Sequence, residues 1–133
     1  MEFVEWNDSY SVDNVLLDAH HRIFFRIVRK FAESADPDGY EAMKRRIAFL
    51  VEYVAMHLSA EEELLREAAY PDFDQHKAIH DGFTRTVLAI RESFLTSKEP
   101  IAPNEVLQTM QDWFLNHILS EDKKYISCLK SAG

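Results

Sequence analysis

Residues 40–67, YEAMKRRIAFLVEYVAMHLSAEEELLRE, carry apolar side chains at steps of three and four: Met43, Ile47, Leu50 and Val54. His57, Glu61 and Leu64 continue the same register. That period marks one face of an α-helix. Four residues turn a helix through roughly 400°, so His57 and Glu61 stack on that face. The face is the one a helix buries. An ionised glutamate there costs several kcal/mol unless a cation compensates it. No Lys or Arg stands at a core-stripe position. Imidazole and carboxylate on the core face of a helix predict a metal site inside a helical bundle.

Three further stripes repeat the pattern. The first is Leu17, His21, Phe24, Val28, Phe31, with Asp13 or Asn14 as candidate N-cap. The third is Phe73, His76, His80, Phe83, Val87, Ile90, Phe94. The fourth is Val106, Met110, Trp113, His117. Each stripe holds at least one histidine. Asp36-Pro37-Asp38-Gly39, Tyr70-Pro71 and the stretch 96–104 with Pro100 and Pro103 separate them, with Pro37 poised near a helix start. No alternating run bounded by turn residues is present. The expected fold is all-α: an antiparallel up-down-up-down four-helix bundle with an extended N-terminal arm over residues 1–12. Residues 1–133 are expected to form one domain.

Asp122 follows His117 by five residues, which places it about 140° away on a regular helix. For both to face one site, the helix must kink or end around Leu119–Ser120.

The formal charge is −8, and the basic residues form no patch beyond runs such as Lys44-Arg45-Arg46. Binding to nucleic acid or an anionic membrane surface is therefore not expected. The single cysteine, Cys128, permits no internal disulfide and is read as a packing residue. Residues 1–20 lack a basic start followed by an apolar run, and no stretch approaches the roughly 20 apolar residues of a membrane span. A cytoplasmic location without membrane insertion is expected.

Five imidazoles and two carboxylates (His21, His57, His76, His80, His117, Glu61, Asp122) exceed what one tetrahedral zinc uses. They suit two ions sharing carboxylates, and nitrogen and oxygen ligands suit iron. Ferritin-like di-iron bundles use Glu-x-x-His pairs. No histidine here has a glutamate three residues before it.

In its order and spacing the chain resembles the hemerythrin family, in particular single-domain bacterial hemerythrins. The resemblance is carried by Trp6, Asp18-Ala19-His20-His21, His57-Leu58-Ser59-Ala60-Glu61-Glu62, Tyr70-Pro71, His76 and His80, Trp113-Phe114-Leu115-Asn116-His117-Ile118 and Asp122. It implies two irons (Fe2+/Fe3+) with an oxo or hydroxo bridge. By the same resemblance, His76, His80 and His117 hold one iron, and His21 and His57 hold the other. Glu61 and Asp122 bridge them. The resemblance further implies that an open position on the two-histidine iron takes dioxygen reversibly, in an apolar pocket of Phe24, Leu58, Trp113, Phe114 and Ile118. The family usually has Phe at position 58 and Leu at position 114, so the bulk here is exchanged. It usually has Gln where His20 stands, and His20 is expected beside the ligand set rather than in it.

The role expected from this resemblance is oxygen carriage, storage or delivery, not enzymatic turnover. The partners are dioxygen and a reductase or oxygen-using enzyme, and a monomer is the expected state. The alternatives are a stand-alone oxygen or redox sensor acting through a partner protein, and a di-iron enzyme of peroxidase or oxygen- or nitric-oxide-reducing type.

Overall fold

The computed structural model describes residues 3–33, 39–96 and 103–132. Four long helices fill it: α1 (Val15–Glu33), α2 (Gly39–Glu67), α3 (Phe73–Thr96) and α4 (Pro103–Ser120). A 3-10 turn (Asp122–Tyr125) and a short α5 (Ile126–Ala132) follow. Among the described residues there is no strand. The expected break and loop are shorter than the sequence suggests where they are described: Gly39 already opens α2, Thr96 closes α3, and Pro103 and Asn104 open α4. Asp36-Pro37-Asp38 and the stretch with Pro100 lie outside the described residues.

α2 packs on α3, and α1 packs on both α2 and α4. The histidines alternate along these helices: early in α1, late in α2, early in α3, late in α4. Only antiparallel neighbours bring those four positions to one end of a bundle. The core is the four stripes, including Leu17, Phe24, Val28, Met43, Ile47, Leu50, Val54, Phe83, Val87, Phe94, Val106 and Met110.

Three local expectations are sharpened. Asn14, not Asp13, caps α1: its Oδ1 accepts from Leu17 N at 3.0 Å, while Asp13 takes a left-handed φ of 55° just before it. Leu65 is the fully buried leucine at the end of α2 and Leu64 is half-buried. Strict steps of three and four drift from the helical period over so long a stripe. The N-terminal arm is extended on either side of a 3-10 turn (Asp8–Tyr10). It lies on the bundle: Val4 N donates to Gln111 Oε1 at 2.7 Å, and Phe3, Trp6 and Tyr10 pack against the core. Asp18 ties its end down, accepting from Ser11 Oγ at 2.6 Å and Val12 N at 2.9 Å.

α4 ends at Ser120, where the sequence requires a break. Glu121 N still bonds His117 O at 2.8 Å, and then the chain tightens, with Lys124 N on Glu121 O at 3.2 Å. This tightening rotates Asp122 back into the core, where it is 0% exposed.

Candidate metal centre

All seven residues converge and all are buried. On one side His21 Nε2 and His57 Nε2 lie 3.1 Å apart. Glu61 Oε2 stands 3.5 Å from His57 Nε2 and 3.9 Å from His21 Nε2, and Asp122 Oδ2 stands 3.5 Å from His21 Nε2. On the other side His80 Nε2 and His117 Nε2 are 3.1 Å apart. Here Glu61 Oε1 lies 2.6 Å from His76 Nε2 and 3.1 Å from His80 Nε2. Asp122 Oδ1 lies 3.0 Å from His117 Nε2 and 3.2 Å from His76 Nε2. Each carboxylate therefore turns one oxygen to each side.

These distances suit cations. Donors 90° apart around an ion at ~2.1 Å lie ~3.0 Å from one another. Among the described residues, both Asp122 oxygens and His21 Nδ1 are buried without a partner of good hydrogen-bond geometry. A buried carboxylate whose only close neighbours are imidazole nitrogens is expensive unless a cation compensates it, and a metal held between them would do so. Two groups of donors are each close enough to hold one: Glu61, His76, His80, His117 and Asp122, and His21, His57 and Glu61.

The electrostatics of the protein alone show how closely the groups interact. Burial pushes the Glu61 carboxyl up, but hydrogen bonds from His57, His76 and His80 outweigh it and hold it well below the usual carboxylate range. Burial would lower His76, yet Asp122 and Glu61 raise it to about 9. His80 is raised too, with Glu61 outweighing burial. Burial, with the His57 ring beside it, pulls His21 down to about 4.

Around this set, Phe114 lies 5.4 Å from His57 and 5.8 Å from His21 between ring centroids. Phe24 stacks on Phe114 at 4.4 Å. Leu58 and Ile118 are buried in the same core. Trp113 is placed differently: it stacks on His117 at 4.5 Å, against the three-histidine side, and Phe83 covers its other face at 3.6 Å. His20 is not among the converging donors. Its Nδ1 faces His57 Nδ1. Cys128 is half-buried, with Sγ 3.6 Å from Ala68 O.

Two participants lie outside the ligand set read from the sequence. Tyr125, fully buried, donates its hydroxyl to Glu61 Oε2 at 3.2 Å. Glu62 Oε2 accepts from His80 Nδ1 at 2.9 Å, while its other oxygen lies 3.8 Å from Lys77 Nζ. Metal-binding histidines commonly carry such an outer carboxylate. Its adjacency to Glu61 was the available clue for Glu62.

Comparison with known proteins agrees with this geometry. The family model described as the hemerythrin HHE cation binding domain matches residues 13–129. A bacteriohemerythrin of Methylococcus capsulatus is 27% identical over 132 residues, covering 98% of this chain and 100% of the relative. A myohemerythrin of Theromyzon tessulatum is 28% identical over 121 residues, covering 91% and 89%. The crystal structure of a wild-type hemerythrin superposes with a TM-score of 0.87 at 26% identity, covering 96% of this chain and 98% of that one. With that match spanning all four helices and every converging donor, the chain belongs to the hemerythrin family.

Proposed function

We propose that this chain binds dioxygen reversibly at a non-haem di-iron centre, as a single hemerythrin-like domain serving oxygen carriage, storage or delivery in the cytoplasm. The observation that carries the reading is the unequal split of donors. Three histidines face one pair of carboxylate oxygens and only two face the other. His76, His80 and His117 would hold one iron, His21 and His57 the other, and Glu61 and Asp122 would bridge. The two-histidine side has one donor fewer, which leaves room there for a ligand. When bound, two ferrous ions would supply the electrons, and a hydroxo bridge, becoming oxo, the proton that reversible dioxygen binding needs.

The protein's own part is to orient, desolvate and exclude. Tyr125 holds Glu61 from outside the donor set, and the turn after α4 aims Asp122. Phe24 and Phe114 cover the His21–His57 side with apolar rings. They offer no acid that could protonate a reduced oxygen species, and they keep water away. This favours reversible binding over turnover, as does membership of a family of oxygen-binding proteins rather than enzymes. Among the described residues no helix is long and apolar enough to cross a membrane.

Metal analysis combined with anaerobic-to-aerobic visible spectroscopy tests the proposal. Two irons per chain and a colour change that reverses on removing oxygen are expected. One zinc per chain and no response to oxygen would refute it.

A further inference from the structure

His20 stands outside the donor set, yet its ring is aimed at a member of it. Its Nδ1 lies 3.0 Å from Nδ1 of His57. His57 Nε2 points the other way, 3.1 Å from His21 Nε2. The His20 and His57 rings meet edge to face, 5.2 Å between centroids and 76° between planes. Two ring nitrogens this close are held by one proton between them, because two lone pairs or two N–H groups would repel.

A metal on His57 Nε2 decides where that proton sits. The coordinating nitrogen carries none, so neutral His57 keeps its proton on Nδ1. His57 Nδ1 is then the donor and the bare Nδ1 of His20 the acceptor. His20 must hold its own proton on Nε2. We infer that His20 is a positioning residue for His57, fixing its tautomer and ring orientation so that Nε2 faces the two-histidine metal site. The inference rests on the metal-binding reading given under the proposed function.

The acceptor is itself held in place. Tyr53 donates its hydroxyl to the His20 carbonyl at 2.8 Å, and its ring meets His20 edge-on at 6.4 Å. The other side of the centre uses the same device with a different group, the Glu62 carboxylate on His80 Nδ1. Among the described residues, His21 Nδ1 has no hydrogen-bond partner. Of the two histidines on the two-histidine side, His57 is therefore the one oriented from outside. A neutral ring polarises its partner less than a carboxylate does, so that side should bind its metal the more weakly of the two.

Zinc, used as a diamagnetic probe, tests this without reference to oxygen binding. Nitrogen-15 imidazole NMR of the zinc-loaded protein should show His57 protonated at Nδ1 and His20 at Nε2. Chelator-competition titration should show His20→Leu weakening one of two zinc sites by ~10–100-fold, with the tighter site little changed. His20→Gln, which keeps an acceptor, should restore most of the loss. A proton on His20 Nδ1, or two zinc affinities unchanged in His20→Leu, would overturn the inference. If His20→Leu fails to fold, the wild-type NMR and the His20→Gln titration still decide. A wild-type chain that takes up no metal would sink the underlying reading instead, so the two failures are distinguishable.

Discussion

Phe114→Ala probes the pocket and the core together. The ring is 1% exposed. It stacks on Phe24 at 4.4 Å and meets His21, His57, Phe83 and Trp113 edge-on or tilted at 5.4–6.0 Å. Removing it leaves a void of ~100 Å³ if nothing relaxes, which at ~24 cal/mol per Å³ is ~2.4 kcal/mol. The lost transfer free energy adds ~2 kcal/mol, giving ~4 kcal/mol in total. For a chain of this length that lowers Tm by ~15 °C. Urea unfolding of the metal-free protein, followed by far-UV circular dichroism, measures it without linkage to metal. The void also opens beside His21 and His57, so water gains access and autoxidation of the loaded protein should quicken ~10-fold or more. Leu107→Ala is the control. Leu107 is fully buried on α4, about two turns before Phe114. It should lose ~2–5 kcal/mol while leaving autoxidation unchanged. A loss below ~1.5 kcal/mol for Phe114→Ala, or autoxidation equal in the two variants, would refute the account of this pocket.

Other perturbations separate the remaining parts. Glu61→Gln removes a carboxylate that serves both sides of the centre, so elemental analysis should find fewer than two metals per chain; two would show that Glu61 is not shared. Asn14→Ala removes the acceptor for Leu17 N and should cost ~1 kcal/mol in thermal unfolding, with metal content unchanged. His76 is raised to about 9 in the metal-free protein, so at pH 7 it carries a proton that metal must displace. Loading at pH 7 should therefore release protons, and apparent affinity should climb as pH rises towards about 9. A pH-stat trace showing no release would contradict the coupling of His76 to Glu61 and Asp122.

Most of the fold is legible in the sequence because each helix writes its buried face at the helical period. The donors are legible for the same reason: His57 and Glu61 occupy places where Ile or Leu would otherwise stand. Even the end of α4 is forced by the angle between His117 and Asp122. What escapes is tertiary. Val4 on Gln111 spans 107 residues, and no local pattern encodes it. Tyr125 follows the helix break, where the period that would identify a buried position is lost. Trp113 sits one turn before His117, the spacing of stacked neighbours on one helix face. Its packing against the three-histidine side is thus recoverable from spacing, once His117 is taken as the reference. α5 is too short to show a face of its own.

The most direct test of the central claim is anomalous diffraction at the iron edge from crystals of the iron-loaded chain. The account predicts two peaks: one among His76, His80 and His117, the other beside His21 and His57, each touching one oxygen of Glu61 and one of Asp122. A single peak, or two peaks that share neither carboxylate, would contradict it.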